Sequence, residues 1–177
     1  MILYAIIILA VVTRFIPHMA NIGVITALAI FGGAYLPKKQ AVVLPLVARF
    51  VSDAFLGFFS WKLMLAVYAS HLVGTLFGMW IKTSTKAKVR WLKIVTSGFG
   101  TAVLFFLITN FAFLYSPAEY PHTIAGILLS YTNGLPFFRG TLIGDIGYTV
   151  ALFGAYEFVR HFANHKAVSR LNLDTKG

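Results

Sequence analysis

The sequence predicts an all-α integral membrane protein of six transmembrane helices with both termini in the cytoplasm. Three observations carry that expectation. The 177 residues are 59% hydrophobic and 11% charged, where a soluble domain has roughly 25% charged residues. Apolar stretches recur at close to the ~20 residues a spanning helix needs. Basic residues gather in alternate connections between those stretches, the positive-inside pattern.

Six apolar segments run at roughly 2 to 16, 20 to 36, 40 to 60, 62 to 81, 94 to 115 and 137 to 159. The first begins at Met1 without a basic n-region, and no small-residue cleavage site precedes Arg14, so it reads as a span and not a removable signal. Spans 1 and 2 are short: they tilt, thin the bilayer, or end beside a water-filled cavity. Lys38 and Lys39 separate spans 2 and 3. Lys82, Lys86, Lys88, Arg90 and Lys93 separate spans 4 and 5, and Arg160, Lys166, Arg170 and Lys176 follow span 6. The opposite connections hold Arg14 and Lys62, with Arg139 at the mouth of span 6. The connection SPAEYPHTIAGILLSYTNGLP (116 to 136) is too apolar in its middle for a solvated loop. It reads as a short interfacial helix bounded by Pro121 and the Asn133-Gly134 turn signal, either a further packing element or a lid over an outward cavity. Residues 1–162 form one transmembrane domain, and the polar 163–177 reads as a cytoplasmic helix extension that frays into a tail.

Several function classes fall away. There is no cysteine, so disulfides, thiolate metal sites and cysteine nucleophiles are excluded. The net charge of +10 is distributed by membrane topology and does not form a nucleic-acid patch. No Gly-rich phosphate loop, HExxH or GxSxG occurs, so the expectation is a non-enzyme without cofactor or metal, whose energy for any transport comes from a partner or an ion gradient.

Ionisable side chains inside the spans are the exception that calls for a cause, since each costs on the order of 2.5 to 3.5 kcal/mol at the bilayer centre. Arg49 and Asp53 are four apart, on one face of span 3 with Pro45 and Ser52, and can bond each other while facing the interior. His71 lies halfway along span 4 and Asp145 in the middle or outer half of span 6, so Arg49, Asp53, His71 and Asp145 reach similar depths. They form a network pinning spans 3, 4 and 6, a polar floor beneath a substrate cavity, or both. His71 shares its face with Gly74, Thr75 and Gly78 and reads as a packing residue, with no second ligand at metal spacing.

The outer side carries a second set. TRFIPHMAN (13 to 21) offers Arg14, His18 and Asn21, while NGLPFFRGTLIGD (133 to 145) offers Asn133, Phe137, Phe138 and Arg139. Cations and aromatics at a wet mouth suit a small anionic or aromatic solute, and interfacial anchoring explains them equally well. FGGAY (31 to 35) is echoed by FGAY (153 to 156), which interfacial tyrosines and helix-contact glycines explain without a repeat.

The combination of PH-x-x-N, FGGAY, SD-x-x-LG and LPFF-x-x-T-x-x-GD-x-x-Y, across spans 1 to 3 and span 6, resembles a family of small bacterial membrane proteins described as substrate-binding (S) components of energy-coupling factor transporters. The resemblance implies a six-helix bundle in the plasma membrane that binds a vitamin or related solute in an outward-facing cavity. It also implies partners: a transmembrane coupling protein and two cytoplasmic ATPases. Members dock through small-residue faces, often an alanine pair four apart on the first helix; here Ala5 and Ala10 are five apart, while Ala29/Gly33 and Gly74/Gly78 keep small-xxx-small spacing.

The leading expectation is therefore a substrate-capture subunit in which Arg14, His18, Asn21, Asn133, Phe137 and Arg139 meet the solute, Asp145 and Asp53 form the deeper floor, and 119 to 136 closes over it. The alternatives are a stand-alone carrier that takes up a proton at Asp145 or Asp53, a small intramembrane enzyme using Asp53, His71 and Asp145, and a membrane-assembly subunit.

Overall fold

The structure, a computed structural model, describes residues 2–13, 23–111 and 118–174. Its regular elements among these are helices: α1 (Ile2–Thr13), α2 (Ile25–Tyr35), α3 (Lys38–Leu56), α4 (Trp61–Lys82), α5 (Ala87–Thr109) and α6 (Ile124–Asp174).

The bundle is organised around α2. Its sequence, ITALAIFGGAY, has no polar face, and every residue from Ile25 to Ala34 is buried. A helix that is apolar all round belongs inside a bundle, and α2 touches each of the other five helices. At ~1.5 Å per residue it is about 16 Å long, half of a ~30 Å hydrocarbon core.

Glycine lets α4 approach α2 backbone to backbone. A Cβ on Gly78 would run into the Ile30 carbonyl oxygen, and one on Gly33 into that of Thr75. A Cβ on Gly74 would lie 3.2 Å from the Ala29 methyl group. The two small-residue motifs of spans 2 and 4 therefore mate with each other. Thr75 adds a tie to α3, its hydroxyl donating to the Ala41 carbonyl at 3.3 Å. A second close crossing joins α5 to α6, where a Cβ on Gly98 would lie 3.0 Å from the Ile146 Cα.

Helix ends depart from the sequence reading in three places. The expected third span, 40 to 60, stops at Leu56 because Gly57 adopts φ 104°, with its N–H returning to the Asp53 carbonyl; a left-handed glycine is a common helix stop. The expected fifth span, 94 to 115, begins earlier, at Ala87, so Lys88, Arg90 and Lys93 are helical. Those side chains are good helix formers, and Lys93 uses its position to donate to the Trp80 carbonyl at the end of α4.

The third departure is a correction. Asn133-Gly134 does not end a separate interfacial helix; α6 runs unbroken through it and through Pro136, and on to Asp174. An Asn-Gly pair makes a turn only where nothing holds the chain straight. Here Gly134 is pressed against the Asn110 side chain, Ser130 donates to the Asn110 carbonyl at 2.5 Å, and Tyr131 donates to the Leu107 carbonyl at 2.8 Å. Docking on the end of α5 thus overrides the local turn preference.

Three helical segments, Trp61–Lys82, Ala87–Thr109 and Ile124–Ala163, are long and apolar enough to cross a membrane. Large apolar side chains face outward from them, among them Trp61, Leu65, Leu76 and Phe158, each more than 60% exposed. A surface of that kind suits lipid as the solvent.

The α2/α4 crossing generates the first prediction. Gly78→Ala forces the two backbones apart, and overpacking costs about 1–3 kcal/mol, so the apparent Tm of purified protein falls by roughly 3–10 °C. Gly147→Ala, where a Cβ meets nothing within 4 Å, leaves the Tm unchanged or slightly higher; equal losses in both variants would refute the crossing.

Candidate functional site

The helical spacing of Arg49 and Asp53 is realised as an ion pair, Arg49 Nε to Asp53 Oδ2 at 2.8 Å. The Tyr68 hydroxyl of α4 donates to the same carboxylate oxygen at 3.1 Å. Asp53 is only 2% exposed, so these bonds replace part of the hydration it has lost. The Phe59 ring lies over the Arg49 guanidinium, its centroid 5.6 Å from the guanidinium carbon.

Beside this pair opens a cavity of about 360 Å3. Arg49 and Phe59 form one wall, Leu63 and Val67 of α4 a second, Phe105, Phe106, Thr109 and Asn110 of α5 a third, and Gly134, Phe137, Phe138 and Thr141 of α6 a fourth. The volume lies within the ~300–1,000 Å3 of small-molecule sites, as does the balance of aromatic walls with a few polar groups. Two of the lining helices run from α2 to this cavity. On α4, Gly78 and Gly74 touch α2 while Val67 and Leu63 line the cavity; on α3, Ala41 accepts from Thr75 near α2 and Arg49 reaches the cavity. Among the described residues, the cavity therefore begins where α2 ends.

Asp145 sits one turn from Thr141, on the α2 side of the cavity, and is 3% exposed. The Thr26 hydroxyl, in the first turn of α2, hydrogen-bonds its carboxylate. His71 is also buried and lies against Phe105, ring centroids 6.1 Å apart, one turn from Val67. The four expected intramembrane groups thus occupy neighbouring levels: Arg49 and Asp53 at the cavity, His71 behind its wall, and Asp145 at the tip of α2.

Of the expected solute contacts, Phe137 lines the cavity, with Phe138 beside it. Asn133 and Arg139 are exposed and lie outside its lining. Arg14, His18 and Asn21 lie outside the described residues. Sequence reasoning missed Phe59, Tyr68, Phe105, Phe106, Thr109, Asn110 and Thr141. A signal existed for Asn110, a polar residue closing an apolar run; nothing local marks the others. Among the described residues, no group of three His, Asp or Glu side chains is placed to hold a metal ion.

The fold and site define a helical membrane protein with a solute-sized cavity at one end of its bundle. The chain belongs to DUF6580, a family of unknown function whose model matches residues 1–168. No curated protein and no solved structure matches it.

The buried pair generates a second prediction. Asp53→Leu strands the arginine and costs about 3–5 kcal/mol, whereas Arg49→Met combined with Asp53→Leu removes both charges and costs less than the single change. Denaturant unfolding of the two single variants and the double variant measures the coupling; additive losses would show that the pair contributes no mutual stabilisation.

Proposed function

We propose that this protein is the substrate-capture subunit of an energy-coupling-factor-type micronutrient importer of the plasma membrane, a six-span protein with both termini in the cytoplasm. The observation that carries this reading is the cavity of about 360 Å3 with the Arg49 guanidinium in its wall. The ion pair to Asp53 uses Nε, which leaves the two terminal nitrogens to recognise a carboxylate or phosphate oxygen. Phe59, Phe105, Phe106, Phe137 and Phe138 suit the flat faces of a ring, while Thr109, Asn110 and Thr141 supply hydrogen bonds that fix orientation. A vitamin-sized solute with a ring and one acidic group satisfies all three sets. The motif resemblance supports the same reading and supplies the partners, a transmembrane coupling protein and two ATPases. Asp145 favours a second reading, a carrier that works without them, because a buried carboxylate in a membrane marks ion and proton pathways.

A thermal-shift screen of water-soluble vitamins and their precursors on purified protein tests the site. The expected hit loses about 10- to 100-fold affinity in Arg49→Gln, the worth of a charged hydrogen bond, and weakens in Phe138→Ala, which leaves the ion pair intact. Arg139→Ala, outside the cavity, leaves it unchanged. Silence of both cavity variants with loss in Arg139→Ala would move the site elsewhere. Purification of the tagged chain from native membranes tests the partners: a coupling protein and two ATPases are expected with it, and recovery of the chain alone would favour the carrier.

A further inference from the structure

We propose that Asp145, Thr149 and Ser97 form a binding site for a monovalent alkali cation at the crossing of α5 and α6. Asp145 and Thr149 are one turn apart on the same face of α6, and the backbone of α5 meets that face beside them: a Cβ on Gly98, next to Ser97, would lie 3.1 Å from the Asp145 carbonyl oxygen. Asp145 is 3% exposed, and Thr149 and Ser97 are fully buried. Asp145 Oδ2, Thr149 Oγ1 and Ser97 Oγ each lack a hydrogen-bond partner. Buried polar atoms are nearly always bonded, so three such oxygens, two on one face of α6 and one beside the Gly98 crossing of α5, each call for a partner that one ion between them would supply.

The chemistry of that partner follows from charge and donor type. The carboxylate receives the Thr26 hydroxyl at the uncapped first turn of α2. The end of a helix dipole supplies roughly half a positive charge, which leaves the rest of the carboxylate's charge unmatched. Carboxylate and hydroxyl oxygens are hard ligands, suited to alkali and alkaline-earth ions. Calcium and magnesium draw on more oxygen ligands, generally including several carboxylates or waters, and a single carboxylate in this setting balances one positive charge. The set therefore fits a hard ion of single charge, and sodium is the alkali ion tested.

The proposal is independent of the solute reading, and its experiment uses no solute. Radiolabelled sodium binding is measured on the full-length chain in lipid nanodiscs, with thermal unfolding in sodium chloride against choline chloride at equal ionic strength. The expected result is saturable binding near one ion per chain, competed by unlabelled sodium and not by choline, with a higher Tm in sodium. Asp145→Asn abolishes binding, Thr149→Val and Ser97→Ala weaken it about tenfold or more, a loss equivalent to one ligand interaction, and Thr149→Ser retains it. Absence of saturable binding by the unaltered chain overturns the proposal whatever the variants do. Binding that survives Asp145→Asn, or stabilisation that follows acid pH and ignores sodium, overturns it as well, the latter by showing that a proton neutralises the carboxylate.

Discussion

The contact on which the rest of the structure depends is the backbone approach of α2 and α4 at Gly33 and Gly78. No side chain separates the helices there, and van der Waals packing over glycine is what drives helix association where lipid is as apolar as the protein. The approach puts an 11-residue helix at the centre of the bundle. A short central helix has a direct geometric consequence: the helices around it are longer than it is, so beyond its first turn they no longer share a common core. The cavity and the buried carboxylate both arise at that boundary, the cavity between the walls that α2 no longer fills and Asp145 at the tip of α2 itself.

The opposite end is closed by a different device. Phe31 meets Phe153 at 5.3 Å and Tyr35 meets Tyr156 at 4.3 Å between ring centroids. The Tyr35 hydroxyl then donates to Glu157 at 2.9 Å and receives Arg90 at 2.5 Å, joining α2, α5 and α6. A solvent-exposed ion pair contributes little alone, but this one is built onto an aromatic cluster that already fixes its geometry. With one end latched and the other hollow, the bundle is asymmetric along its length.

How much of this was legible in the sequence differs by element. The Arg49–Asp53 pair was fully legible because helical spacing alone brings the two together. The pairs Ala29/Gly33 and Gly74/Gly78 announced close packing but not their partners, since a small residue permits an approach without naming what approaches. The echo of FGGAY in FGAY was visible and was explained locally; the structure shows that the two segments are in fact neighbours across the α2/α6 interface, a relation that no single-helix argument can supply. Asn133-Gly134 misled for the converse reason, its local preference being overruled by α5. The cavity was the least legible part, because each helix contributes only a few residues to it and their meeting is set by the crossings at Gly33, Gly78 and Gly98, far away in sequence.

The two polar centres are electrically unlike, and that difference bears on what the cavity can accept. Arg49 and Asp53 form an ion pair of opposite charges, with Tyr68 donating to the same carboxylate oxygen. A hydrogen bond from Tyr68 stabilises the negative charge on Asp53 and so weakens its hold on the guanidinium, which leaves Arg49 the more available to a second anion. A solute acid that displaced Asp53 altogether would strand a buried carboxylate at a cost of several kcal/mol. On the proposed reading, the favoured solute is therefore one that bonds the terminal nitrogens while the Nε contact stays in place, and its acidic group must enter from the side of the cavity facing away from Asp53. Asp145, one step toward α2, has no such partner to balance it among the described residues. A cation there would lower the negative potential beneath the cavity and ease the entry of an acid at Arg49, so that the two sites, though separate in their ligands, would be coupled through charge alone.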